Sequence, residues 1–268
     1  MPLPSPIRRL LLLAALVLLA TASRAAGNPQ LEQLQQVWNS LLHHYVTAEG
    51  RVDYEALLDA DDDQLRGYLL SLRKVQPAAT WTPDETKAFW LNTYNAAATY
   101  LVLEYYPVAS INDIRVKTVG GYESAWETVA VNVGGRNYSL NQIEREMLRD
   151  QFHDPRIHFA LTYGAAAAAP LRAEAYEGSQ LNRQLDEQTR HFLNDSALNQ
   201  LSPQQIRLSD LFRAYAPEFG SEPELLAFIN RYAHAPVLPA ATIDYLSFNW
   251  ALNNRSTLSS TQALRAKK

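Results

Sequence analysis

The run TPDETKAFWLNTYNAAATYLVLEYYP (residues 82–107) opens on a helix-start signal and then stays apolar on nearly every side. Thr82 suits an N-cap, Pro83 the first helical position, and Glu85 the reciprocal half of a capping box. Pro107 supplies the stop. A helix with no polar face has no side to offer water, so this one is expected at the centre of a mainly helical domain. Its exception is a stripe of Asn92, Asn95 and Thr99 at i, i+3 and i+7. A buried amide left unpaired costs about 1–3 kcal/mol. The stripe therefore reads either as a hydrogen-bond network holding neighbouring loops or as a helix face lining a pocket.

On the C-terminal side, TVAVNVGGRNYSL (128–140) alternates valines into a Gly134-Gly135 turn, the pattern of a hairpin. Ser139 with Gln142 forms a second capping box, from which a helix is expected to run on through QIEREMLRD. RIHFALTY (156–163) reads as a strand, with His158, Ala160 and Thr162 on one face. SQLNRQLDEQTRHFLND (179–195) and LLAFINRYA (225–233), the latter capped by Ser221-Glu222-Pro223-Glu224, are helical. TIDYLSFNWALNN (242–254) closes the domain. On the N-terminal side, residues 27–46 carry a helical apolar stripe, EGRVDYEAL reads as a short extended piece, and DADDDQLRGYLLSLRKV starts another helix. Asp59, Asp61 and Asp63 have the spacing of a calcium loop, but Gln64 stands where glycine is needed and Leu70 where the bidentate glutamate belongs, so calcium is rejected. The whole predicts an α+β fold: a single, mainly helical domain over 27–255 with a small antiparallel sheet, followed by a loose tail over 256–268.

The first 25 residues are expected to be a signal peptide: Arg8 and Arg9, then an apolar core from Leu10 to Ala20, then cleavage options after Ala22 or Ala25. That implies a periplasmic or secreted protein, touching a membrane only through an uncleaved leader. Cleavage after Ala25 removes Arg8, Arg9 and Arg24 and no acid, taking the formal charge from −4 to −7. A mildly acidic surface argues against nucleic acid as the partner. The chain has no cysteine, which excludes disulfides, thiolate metal sites and a cysteine nucleophile.

His158 is the best general-base candidate, and Glu144, in the helix before it, could orient the imidazole. A histidine hydrogen-bonded within the core fits the pattern equally well. His43, His44, His153, His191 and His234 lack ligand spacing with a second histidine and a carboxylate, so no metal is expected. There is no Gly-rich phosphate loop and no Gly-x-Ser-x-Gly elbow, and no cofactor is expected.

Five blocks in order, FWLNTYNA (89–96), SLNQIEREMLR (139–149), DPRIHFALTYGAAAAAPL (154–171), LNRQLDEQTRHFL (181–193) and IDYLSFNWALN (243–253), resemble the DUF 547 family, a bacterial domain of unknown function. Typical members read His-Phe-Ala-Leu-x-Cys-Gly-x-x-Ser-Cys-Pro in the third block. The resemblance implies a papain-like Cys-His arrangement with Glu144 as a third member. Here His158 is kept, the first cysteine falls on Tyr163, the second on Ala168 and the proline on Ala169. The histidine that usually follows the glutamate is Arg145, and the family's Tyr-Asp-Trp reads Phe248-Asn249-Trp250. The nucleophile position is thus present and empty, while Asn92, Tyr94, Asn95, Trp126, Arg156, Trp250 and Asn253 remain as expected pocket and scaffold residues. Three functions follow as expectations. The first is a binding pseudoenzyme for a small molecule or peptide. The second is a hydrolase or transferase in which His158 and Glu144 activate water or a hydroxyl of Thr162 or Tyr163. The third is a scaffold whose site has closed.

Overall fold

A computed structural model describes residues 29–77 and 79–255; the expected signal peptide and C-terminal tail lie outside the described residues. The chain divides into residues 1–34 and a compact unit from Gln35 onward, the division falling inside helix α1 (Pro29–Tyr45). Helices α2 (Tyr54–Ala60) and α3 (Asp62–Ser71) follow, the first capped by Asp53. Val46 and Val52 bridge in the extended piece between α1 and α2.

Helix α4 (Pro83–Glu104) lies at the centre, as its sequence requires. The Thr82–Glu85 capping box forms in both directions, and side chains are buried without a break from Lys87 to Thr99. It packs against α3, α5 and α6 and against one strand of the second hairpin. The first hairpin pairs β1 (Arg115–Thr118) with β2 (Gly121–Ser124); the second pairs β3 (Val129–Val133) with β4 (Arg136–Ser139). Gly134 and Gly135 both take positive φ, 57° and 87°, as a two-residue turn demands.

The Ser139–Gln142 box starts the helical run 140–152 (α5), but the run is not a plain α-helix. Ile143–Arg149 is π-helical, closed by the Asp150 N–H reaching the Arg145 carbonyl. Such widened turns recur at functional sites. The expected strand at 156–163 is absent. Asp154 accepts from the Arg156 N–H at 3.1 Å, Pro155 sits in the first turn, and Pro155–Phe159 coils as a 3-10 helix. Ala160 closes the turn in a helical conformation, and the segment after it has no regular structure; it is held by a side chain of α4 rather than by another strand.

Beyond lie α6 (Leu181–Asn194), α7 (Asp210–Ala214), α8 (Ala216–Phe219) and α9 (Glu222–Tyr232). The third sheet orders β5 (Gln200–Leu201), β6 (Gln205–Ser209) and β7 (Thr242–Leu246). Its β5–β6 pair is antiparallel, but β6–β7 is parallel, with α7 to α9 forming the crossover. The described residues therefore form an α+β molecule with three small sheets, one of them mixed rather than antiparallel throughout.

Candidate functional site

His158 lies on the 3-10 turn and is fully buried. Its Nε2 is 2.8 Å from Glu218 Oε2, and its ring stacks on Tyr215 with centroids 3.7 Å apart and planes 22° from parallel. Nδ1 is buried and has no hydrogen-bond partner. With a carboxylate at Nε2, that nitrogen is the donor, and in the neutral imidazole Nδ1 carries the lone pair. Arg149 Nε donates to the other oxygen of Glu218 at 2.6 Å. Burial by itself would raise the Glu218 carboxyl, but the hydrogen bonds and charges of His158 and Arg149 outweigh it and hold the group below its ordinary range.

The orienting acid is thus Glu218, not Glu144. Glu144 points from the π-helical turn toward two phenols: Tyr215 donates to its Oε1 at 2.6 Å and Tyr163 at 3.3 Å, with Arg149 Nη1 at 3.9 Å. The two phenol oxygens are 3.1 Å apart. Burial first, and the Glu144 charge second, push the phenol pKa of both Tyr163 and Tyr215 up, so these groups donate hydrogen bonds and do not serve as tyrosinate nucleophiles. Thr162, the other hydroxyl on the expected histidine face, takes the Gly164 N–H at 3.2 Å and Asn253 Nδ2 at 3.4 Å.

Glu144, Tyr163 and Tyr215 form one side of a cleft of about 250 Å³ whose other walls are Trp126, Asn141, Asp210, Leu211, Ala214, Phe248 and Trp250. Trp126 is fixed by its Nε1–H to Asn112 Oδ1 at 2.9 Å and meets Trp250 and Tyr163 edge to face. Phe248 and Trp250, from the segment after β7, have centroids 4.5 Å apart.

Five of the residues expected at the pocket or its scaffold are used elsewhere. Asn92 joins both ends of its amide to Tyr176, donating to the carbonyl at 2.8 Å and accepting from the N–H at 2.9 Å. Asn95 does the same for the Ala160 carbonyl (2.9 Å) and the Thr162 N–H (2.8 Å). The loop-holding reading of the polar stripe is the correct one for both. Tyr94 is fully buried behind Tyr163, ring centroids 6.4 Å apart, and does not line the cleft. Arg156 is spent on Asp154, Asp186 and the Asn182 side chain at 2.8–2.9 Å. Asn253 is likewise a tie, accepting from the Tyr54 hydroxyl at 2.8 Å.

The alanine run is pinned by backbone. Ala165 bridges Leu252, Ala166 and Ala167 donate to the carbonyls of Ala251 and Asn249, and Ala168 donates to Ala165 at 3.1 Å. Gln188 Nε2 donates to the Pro170 carbonyl and Leu171 N–H to Gly50. Ala168 is buried and does not line the cleft. Of the two positions where the resemblance places cysteine, the one beside Glu144 is Tyr163.

Sequence reasoning passed over Tyr215 and Glu218. The signal was present: Ala216-Pro217-Glu218 is a short helix start, with proline in the first turn.

A separate, mostly buried ion cluster has its own pH signature. Asp154 takes Lys87 Nζ at 3.0 Å and a bidentate grip from Arg156. Burial would raise its carboxyl, but the Arg156 and Lys87 contacts win and hold it low. A depressed carboxyl stabilises the fold above its unfolded pKa of about 4, and that contribution is lost as pH falls through the lower folded value. Asp154→Asn should therefore melt below the parent at neutral pH, by about 1–3 kcal/mol, with the gap narrowing below about pH 4. Thermal melts across pH check this; a gap independent of pH would exclude the charge as its source.

The family described as Protein of unknown function, DUF547, matches residues 78–193. No curated protein and no solved structure matches the chain. The matched span carries α4, the Glu144 turn, His158, Tyr163 and Ala168, and it supports assignment of the chain to the DUF547 family.

Proposed function

We propose that this protein is an exported binding pseudoenzyme: a member of its family that keeps the histidine machinery and a ligand cleft but has no nucleophile to turn a ligand over. One observation carries the reading. His158 is held by Glu218 through Nε2 while Nδ1 is buried and unpartnered. A buried acceptor left so costs about 1–3 kcal/mol, which a thiol seated at that nitrogen would recover. In a Cys-His pair that nitrogen is the one a thiol would occupy, and this chain contains no sulfur nucleophile. The cleft beside it favours binding over a closed scaffold, since about 250 Å³ stays open among its aromatic walls. The partners of Thr162 and Tyr163 weigh against a hydroxyl nucleophile, because none of them is His158. Export belongs to the same proposal and rests on the basic, then apolar, then small-residue pattern of residues 1–25.

Restoring the sulfur tests this. An Ala168→Cys chain should carry a thiol of depressed pKa, so that it alkylates at pH 6, well below the usual thiol pKa of about 8.5, at least about tenfold faster than the same variant with His158→Gln. Equal rates in two folded variants would mean that position 168 is not seated against the imidazole, and the reading falls. Hydrolysis of a peptide or ester by the unaltered chain, abolished by His158→Gln, would overturn it as well.

A further inference from the structure

The cleft has a chemical character of its own. Five of its ten lining residues are aromatic, namely Trp126, Tyr163, Tyr215, Phe248 and Trp250. Two of the others, Glu144 and Asp210, are acids, and none is lysine or arginine. Aromatic faces carry negative potential and attract cations, most strongly when the site is partly desolvated. Tyr215 already shows this, with the Arg149 guanidinium 4.8 Å from its ring centroid.

Glu144 adds a directed charge. It is buried, and among the described residues its contacts with Tyr215, Tyr163 and Arg149 all fall on Oε1. Oε2 has no partner among the described residues, and Glu144 lines the cleft. A neutral apolar guest would leave this carboxylate desolvated without compensation, and an anion would meet it directly. A cation with a greasy surface satisfies both the rings and the acid.

We infer that the cleft is a site for a methylated or quaternary ammonium group, held by the faces of Trp126, Trp250 and Phe248 with Glu144 as counter-ion. The inference rests on reading the cleft as a binding site, and adds the class of ligand. Trp250 is 40 % exposed and forms the outer wall, so it is the residue a ligand covers first.

The probe is choline, titrated into the full chain by calorimetry and tryptophan fluorescence. Beside it run its tert-butyl analogue, with carbon in place of the quaternary nitrogen, and pivalate as the matching anion. Choline should bind saturably, about tenfold tighter than the neutral analogue, with pivalate weakest. Glu144→Gln keeps an acceptor for both phenols and removes the charge, so it should weaken choline about tenfold while leaving the analogue unchanged. Trp250→Ala should weaken both. Equal affinity for choline and its analogue, or preference for pivalate, overturns the cation assignment while leaving a binding cleft. Binding untouched by Trp250→Ala places the ligand elsewhere and also overturns it, as does no response to any of the three. The thiol labelling at position 168 reads the imidazole and not ligand charge, so the two ideas fail separately.

Discussion

Asn95→Leu is expected to unfold far more readily than the parent, although the two side chains have nearly the same size. The asparagine is buried on α4 and uses both ends of its amide on one loop, donating to the Ala160 carbonyl and accepting from the Thr162 N–H. Those two backbone groups have no strand to pair with, because the 3-10 turn ends at Phe159 and the next backbone bridge begins at Ala165. Leucine would leave both groups buried and unpaired, at roughly 1–3 kcal/mol each. For a domain of this size, that corresponds to a melting temperature lower by roughly 5–15 °C. Asn95→Asp is the informative companion. It still accepts from Thr162 but sets a carboxylate against the Ala160 carbonyl, so it should also be destabilised, and less so when acid protonates it. Chemical denaturation of the three proteins measures this. A loss below about 0.5 kcal/mol for Asn95→Leu, the range of ordinary surface changes, would show that the loop does not depend on the amide.

The same residue shows where sequence legibility ends. The Thr82, Ser139 and Ser221 caps, the Gly134-Gly135 turn and the apolar girth of α4 are all written within a few residues of the structure they specify, and each forms as expected. Segment 156–163 misleads because its alternating apolar residues imitate a strand. The deciding chemistry lies in Asp154 and Pro155, which start a 3-10 turn, and in Asn95, which supplies the pairing that a neighbouring strand would have given. Asn95 shows on the sequence as a buried amide; its partners 65 and 67 positions away do not. His158 is legible as a buried imidazole within a family block, yet its acid is 60 residues downstream in a stretch with no motif beyond a short helix start. Glu144 is expected beside His158 and instead meets two phenols. The π-helical turn aims it at Tyr163 and Tyr215, and no residue pattern announces that widening.

Phe159→Ala should give a loss of similar size by another route. This ring follows His158 on the 3-10 turn, is wholly buried, and meets Phe192 of α6 at 4.9 Å, Phe212 of α7 at 5.5 Å, Phe219 of α8 at 6.1 Å and Phe228 of α9 at 6.0 Å. It is the common neighbour through which four helices are set against the turn. Phe219 is also the residue after Glu218 and lies 6.4 Å from the imidazole, so the cluster determines where that carboxylate meets Nε2. Truncation removes the transfer energy of a large ring and leaves a cavity among aromatics that cannot easily collapse, about 3–5 kcal/mol in all. Phe228→Ala, at a half-buried ring on the rim of the same cluster, should cost clearly less. Denaturant midpoints rank the two. The imidazole NMR resonances of His158 add a second readout, broadening in Phe159→Ala as Glu218 loses its fixed approach and staying sharp in Phe228→Ala. Equal losses would mean that the cluster has no centre at Phe159; an unbroadened His158 signal in the folded fraction of Phe159→Ala would mean that Glu218 is positioned without it.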